Sequence, residues 1–484
     1  MGMKKRTGLQ NTVIIIAFLL IFGFRFLPLQ TDLSTSAIQL LGIFAGVLLL
    51  WLFVSIDWPS VLLLGALALI PELKFSSILA SAYGGSTFVF LLFTFIVTYA
   101  LQKTSFLKRL AVAFITSNSA KRGPWHFVIL YFLSILFIGC FISPTVLFFV
   151  YYPILEEIAA QLKIRKGDSL VALLMMGTVI MCGISSGMTL IAHAFPVIAV
   201  NLFAQAKGVS ISPLTYSLYA IPSGLLTAAL TVVMFRVFLR PDMHQLSDFR
   251  FTAEEKTAYT LREKKIIAIF FLVVFLWVFP GAVKNALAGT AFGGLMTKLD
   301  AYGTAMPPLI GIVILSVLTD QGEPLCSLND AMKNGVSWPS LVMCAGTLAL
   351  GSALTNADIG LTAWLSGHLS PLFATLGPIM TLLLFTFWAA LQTNLSSNMV
   401  TATLVASAVL SLSENLDLRF VQLLIINVGM MASYSFATPP AMPCVAIAGG
   451  SGYTNPAQMM VYGFGAMLIG VICSCLVGYP LMLL

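Results

Sequence analysis

Charge is what this sequence has least of. Asp, Glu, Lys and Arg together make 9% of its 484 residues, where a soluble domain carries about 25%. With a hydrophobic fraction of 59% and a mean hydropathy of +0.98, the shortage excludes a water-soluble globule. It reads as an all-α polytopic membrane protein. Acidic groups are scarcest inside the apolar runs. Glu156 and Glu157 stand near Lys163, Arg165 and Lys166 and read as interfacial, and Asp358 follows a run. A proton relay through carboxylates therefore has little material. Histidine occurs only four times. No HExxH pair, Ser/His/Asp set or phosphate loop is present, which argues against an intramembrane enzyme. No ring of charges or filter-like repeat suggests a channel. The seven cysteines have no metal spacing. Cys140, Cys182, Cys344, Cys473 and Cys475 lie in apolar runs and read as small buried hydrophobes.

What fills the chain instead is a series of apolar runs. A crossing needs about 20 such residues. Runs near 12–28, 36–55, 58–71, 86–102, 168–205, 214–238, 265–282, 303–318, 338–356, 418–449 and 457–482 give about 11 transmembrane helices. The runs 168–205 and 418–449 are long and interrupted. Two further apolar pairs, 124–160 and 374–413, have polar breaks at Ser143-Pro144-Thr145 and Ser396-Ser397-Asn398. They read as two re-entrant hairpins, whose turns survive at membrane depth only inside protein or beside water. Lys4-Lys5-Arg6 before the run Val13–Phe22 resembles the start of a signal. Phe24-Arg25-Phe26-Leu27-Pro28 makes a poor cleavage site, so this first run is expected to remain a helix.

The net charge of +7 fits orientation in a bilayer rather than nucleic-acid binding. Lys and Arg gather at Lys4–Arg6, Lys103–Arg122, Lys163–Lys166 and Arg236–Lys265. If the first hairpin opens to the cytoplasm, all four clusters share one side. The chain is then a multi-pass protein of the cell membrane with a cytoplasmic N-terminus, and an odd number of crossings puts Leu484 outside. The segment 319–337 should lie on the same side, although it is not basic. The polar stretch Arg240–Lys265 divides the chain into halves of the same order: helices, hairpin, interrupted helix, closing helix. The halves enter the membrane in opposite senses. Inverted repeats with broken helices mark a secondary transporter with its site near the midplane.

The breaks carry the chemistry. Ser143 before Pro144 is a good helix start, and Ser397-Asn398 offers the same through either side chain. A helix N-terminus suits a carboxylate, so two opposed tips suit a dicarboxylate. A hairpin turn with no ligand is the plain alternative. Ser433–Ala441 interrupts 418–449, and Gly183–Pro196 interrupts 168–205. Aligning Thr189–His193 on Tyr434–Thr438 sets His193 opposite Thr438. His193 reads either as a histidine bonded to a neighbouring turn or as a cation beside the substrate. Of the other histidines, His126 heads a hairpin, His244 is in the linker and His368 is near a surface. Gly84-Gly85-Ser86 and Gly449-Gly450-Ser451-Gly452 read as helix-end turns.

Ser397-Asn398-Met399, Ala437-Thr438-Pro439-Pro440 and Gly450-Ser451-Gly452-Tyr453, in this order of elements, resemble the divalent anion/sodium symporter family. That family has Ser-Asn-Thr motifs at two opposed hairpin tips. The resemblance covers nearly the whole chain, and its first-half motif is degenerate. It implies scaffold and transport domains, an elevator motion and a homodimer. The corresponding division is a cytoplasmic N-terminus 1–11, scaffold helices 12–102, first hairpin and broken helix 103–205, a helix 206–238 and a linker 239–265. Then come scaffold helices 266–373, second hairpin and broken helix 374–456, and a last helix 457–484. By resemblance, Ser143, Thr145, Ser397, Asn398, Thr438 and Pro439 contact carboxylates. Thr393, Ser396, Asn398 and Ala437 match the family's second sodium site.

The departures from the family pattern shape the expected function. Pro144 stands for the first motif's Asn, Gly139 for a common hydroxyl, His193 for a Thr and Met399 for the second motif's Thr. The first sodium site has thus lost oxygen ligands that a hard cation needs. A protonated His193 would supply the missing positive charge. These residues point to sodium-independent exchange of C4 or C5 dicarboxylates such as succinate, malate, fumarate or 2-oxoglutarate. The runner-up keeps the fold and couples uptake of dicarboxylate, citrate or sulfate to sodium. No cofactor or structural metal is expected.

Overall fold

In the computed structural model the described residues are 8–27, 32–247, 249, 251, 258–284, 287, 289–354, 356–395, 397–413, 416–438 and 441–483. Most of them are helical, and the strands among them are a two-residue antiparallel ladder that pairs Thr319–Asp320 with Glu323–Pro324. Among them, eight helices are long and apolar enough to cross a membrane. The number is ten if two bent pairs, Ala291–Ala301 with Met306–Val317 (87°) and Leu328–Gly335 with Trp338–Leu354 (79°), count as single spans. The sequence-based number of about 11 differs because several apolar runs fold into pieces of only 10–17 residues, as at Trp58–Leu67 and Leu418–Ala432. The first run does form a helix from Gly8. Close approach of Thr35–Phe53 beneath it is permitted by Gly42 and Gly46, where a Cβ would lie 2.4 Å from Phe24 and 2.6 Å from Ala17 O.

The two hairpins reverse at their polar breaks. Pro124–Gly139 runs in and Pro144–Gln161 runs back. Both ends lie on one face. Arg236 stacks 5.6 Å from the centre of the Trp125 ring, and Asp242 N donates to Ser169 Oγ (3.2 Å) just beyond the hairpin's return. The second hairpin enters through Leu376–Leu395, after a kink at Gly377 (φ 67°), and returns through Asn398–Ser411.

Each hairpin is followed by a broken helix. In the first half Ser169–Met188 stops and the chain resumes as Ala194–Lys207. In the second, Leu418–Ala432 stops and Pro443–Gly450 resumes. The halves interlock with opposite polarity. Ala194–Lys207 packs on Asn398–Ser411 and Leu418–Ala432, while Pro443–Gly450 packs on Pro144–Gln161 and Ser169–Met188. Two lysines record this antiparallel relation. Lys166, before the first broken helix, donates to Ser451 O at the end of the second (2.9 Å). Lys207, at the end of the first, donates to Ser413 O before the second (3.0 Å). The closing helices Pro213–Met234 and Pro456–Leu483 pack against each other.

Small residues bring the broken helices together at the centre. A Cβ on Gly183 would meet the Phe436 ring at 2.5 Å. One on Gly187 would meet Met430 O at 3.0 Å, and one on Gly429 would meet Pro196 Cα at 3.0 Å. Apolar burial does little to drive helices together in lipid, so such close backbone contact supplies the packing. Ser169–Met188 is buried from Leu170 to its end.

The described basic residues of three clusters share the hairpin-one face. Lys103 pairs with Asp330, Ser105 with Glu263, Arg262 with Pro324 O, and Lys265 with Thr319 O. The segment 319–337 therefore lies on this face as well. Lys4–Arg6, Arg250 and Lys256 fall outside the described residues.

Candidate functional site

Four helix N-termini meet the breaks. Two begin the hairpin returns, at Pro144 and Asn398. Two begin the second arms of the broken helices, at Ala194 and Pro443. The residues before them, Ser143, Ser397, His193 and Met442, all have extended backbone (ψ 144°, 132°, 159° and 148°). Each N-terminus presents unpaired N–H groups and a partial positive charge. In the hairpins these are the N–H groups of Thr145 and Val146, and of Asn398, Met399 and Val400. They precede the first intrahelical bonds, Leu147 N to Ser143 O (3.0 Å) and Thr401 N to Ser397 O (2.9 Å).

The two tip serines leave their helices without a side-chain cap, as Ser105 does at Phe106–Ile115, where its hydroxyl donates to Glu263 instead. Ser34, Asp168, Ser212, Thr260 and Asp417 turn their side chains onto their own helices. Ser143 and Ser397 do not, and both are half-buried. Their hydroxyls and the adjacent N–H groups are free to meet an anion. Thr145 is also half-buried beside Pro144, which is buried.

The second tip is held from behind by a polar network. Asn394 Oδ1 accepts from Ala437 N (2.8 Å), and its Nδ2 donates to Tyr434 O and Ala390 O (both 2.8 Å). Thr438 donates its hydroxyl to Asn394 O. Thr393 Oγ1 donates to Ala432 O (2.7 Å) and lies 3.1 Å from Asn398 Oδ1. Asn398 Nδ2 donates to Ser435 Oγ (2.6 Å). Of the residues expected at a cation site, Thr393 and Asn398 bond to each other, and Ala437 is held by the neighbouring Asn394. Both ends of the Asn398 amide are engaged inside the protein, so its backbone N–H is the part presented at the tip. Met399 is buried next to it. Ser396 and Pro439 lie outside the described residues.

The first tip is tied more simply, by Thr189 Oγ1 donating to Cys140 O. A side chain at Gly139 would collide with Ser185 Oγ at 2.0 Å. A hydroxyl therefore does reach this place, from the broken helix instead of the hairpin.

His193 is half-buried, and its Nδ1 accepts from Ala194 N at 3.0 Å. Its ring lies on Phe195, with centroids 3.8 Å apart. A nitrogen that accepts a hydrogen bond carries no proton, so this arrangement is that of a neutral imidazole whose donor is Nε2. The expected cation is not what this geometry holds. The expected pairing with Thr438 also changes. The first break spans five residues (189–193) and the second ten (433–442), so the cap position of His193 corresponds to Met442.

Asn394, Ser185 and Met442 were not singled out by sequence reasoning. Asn394 had a signal, since an amide four residues before Asn398 in an apolar helix needs buried partners. A cavity of about 670 Å3 touches the first tip at Cys140, Phe141 and Thr189, but its lining is apolar and offers a carboxylate only Thr189 and Ser217 hydroxyls. Among the described residues no cluster of His, Cys, Asp or Glu could hold a metal, and all seven cysteines are free and buried.

The sodium-dependent dicarboxylate transporter SdcS of Staphylococcus saprophyticus is 23% identical over 481 residues, covering 95% of this chain and 89% of that protein. The citrate/succinate antiporter of Escherichia coli K12 is 26% identical over 321 residues, covering 64% of this chain and 60% of that protein. In fold the chain is similar to MtrF of Neisseria gonorrhoeae, from a class of antimetabolite efflux pumps. The TM-score is 0.57 at 13% identity, over 98% of this chain and 95% of that one. It is also similar to the YdaH transporter of Alcanivorax borkumensis, with a TM-score of 0.53 at 14% identity over 84% and 87%. The chain is a multi-pass membrane transporter, and through a match over residues 6–484 it belongs to the sodium:sulfate symporter transmembrane region family.

Proposed function

We propose that this transporter exchanges C4 or C5 dicarboxylates, such as succinate, malate, fumarate or 2-oxoglutarate, without sodium. The observation that carries the reading is the pair of hairpin N-termini whose serines, Ser143 and Ser397, leave their hydroxyls and helix ends uncapped. One carboxylate sits at each tip. Thr145 and the N–H groups around Pro144 serve the first, and Asn398, Met399 and the Thr438-Pro439 element border the second. His193 donates through Nε2 as a neutral group.

Exchange is favoured over symport by the sodium ligands. At the first site Pro144 brings no amide, and His193 stands where an oxygen would be needed. At the second, the Thr393 and Asn398 side chains already bond within the protein. The runner-up, sodium-coupled uptake, is favoured by Thr393 bonding to Asn398, with Ala437 held by the adjacent Asn394; Ser396 would complete that site. The hairpins and broken helices move as one elevator body against scaffold helices that form a homodimer. The basic face carrying Lys103, Arg109 and Lys166 is cytoplasmic, which puts the N-terminus inside and the C-terminus outside.

A ligand panel tests the substrate class. Purified protein is warmed with succinate, malate, citrate or sulfate, each with and without sodium. A ligand at 100 times its Kd adds about 2.7 kcal/mol, a shift of several degrees. Succinate or malate is expected to raise Tm in sodium-free buffer. Stabilisation that appears only with sodium, or only with sulfate, would favour the runner-up.

A further inference from the structure

An apolar groove runs down the flank of the first half and reaches the first tip and the first break at one end. It lies between Pro124–Gly139 and Pro213–Met234, which both pack on the buried helix Ser169–Met188. Its floor is buried Phe132, Met181 and Ala228. Leu133 and Leu225 form its rims and are 38% and 44% exposed. In a membrane chain these rims face hydrocarbon, so the groove opens to the bilayer. A space of about 280 Å3 at one end shares Leu133, Leu136 and Leu225 with the 670 Å3 cavity, so the two adjoin. The smaller space ends at Trp125 and Arg236, with the guanidinium 5.6 Å from the ring centre.

We propose that the groove holds an acyl chain of an anionic bilayer phospholipid, with its phosphate on Arg236. Three observations fit this occupant. The groove is open to lipid along its side. It is lined by apolar groups that an empty space would leave without contacts. Its mouth pairs a tryptophan with an arginine, the residues that anchor at headgroup depth. Lipid tails are as apolar as leucine, so the groove itself does not choose between lipids. The choice rests on charge at Arg236, and one basic residue near a membrane surface gives a preference of about five-fold for an anionic headgroup. The far wall of the cavity includes Val274 and Val278 of Leu261–Val283. A lipid there lies between the first hairpin and a helix of the second half.

Tryptophan quenching by brominated lipids tests the proposal. Purified protein in neutral detergent receives brominated phosphatidylglycerol or phosphatidylcholine with identical chains, and the Trp125 component is obtained by comparison with Trp125→Phe. Quenching by phosphatidylglycerol is expected at about five-fold lower concentration than by phosphatidylcholine. Arg236→Gln, an exposed change, should equalise the two lipids. Ala229→Phe, within the groove, should weaken both. Equal quenching by both lipids in the parent protein, or a preference that survives Arg236→Gln, overturns the proposal. So does full protection by soluble glycerol phosphate, which would mark a site for a free anion.

Discussion

Asn394→Ala is expected to give a protein that reaches the membrane but no longer binds or transports dicarboxylate, with a clearly lowered Tm. The change strips Tyr434 O of a donor and Ala437 N–H of its acceptor, both in buried backbone. Each orphaned group costs about 1–3 kcal/mol, so the total loss is roughly 2–6 kcal/mol. The larger effect is on the site. Asn394 also receives the Thr438 hydroxyl at its carbonyl, so its helix turn joins the second tip to the second break. Without the amide the break is released and the tip loses its backing. Asn394→Asp keeps an acceptor for Ala437 N–H and should fall between parent and Ala in Tm. Melting and uptake assays on both variants decide the matter. An Ala variant that transports at the parent rate would show that the network does not position the tip.

At His193 the second large effect separates two roles of one side chain. Its Nδ1 caps the helix Ala194–Lys207. Removing a cap costs about 1 kcal/mol, and Asn is among the best replacements. His193→Asn should therefore keep most of the stability while removing the Nε2 donor. A hydrogen bond to a charged group contributes about 1.5–3 kcal/mol, so dicarboxylate binding should weaken by roughly 10- to 150-fold in both His193→Asn and His193→Ala. Only the Ala variant should also lose stability. Parent-like affinity in the Asn variant would make His193 a cap and nothing more.

These two residues show what the sequence does and does not reveal. The hairpin tips were legible because helix-start chemistry is local: Ser143-Pro144 and Ser397-Asn398 announce an N-terminus from adjacent positions. The common face of three of the four basic clusters was legible too, because charge avoids hydrocarbon whatever the packing; Lys4–Arg6 lies outside the described residues. The role of Asn394 was not, since its partners Tyr434 and Ala437 lie 40 and 43 residues away. The charge state of His193 was also hidden, because it follows from which ring nitrogen meets Ala194 N–H. Equating His193 with Thr438 failed for a related reason. The breaks differ in length, and spacing alone does not show where a helix resumes. Gly139 looked like a lost hydroxyl, yet Ser185 on another helix fills the space.

The central claim is exchange without sodium, and counterflow in sodium-free proteoliposomes tests it most directly. Vesicles loaded with unlabelled succinate and diluted into labelled succinate, with choline as the only cation, should accumulate label transiently. Vesicles without internal dicarboxylate should not. Accumulation that requires sodium, or that proceeds equally into empty vesicles under a sodium gradient, would contradict exchange and establish sodium-coupled uptake.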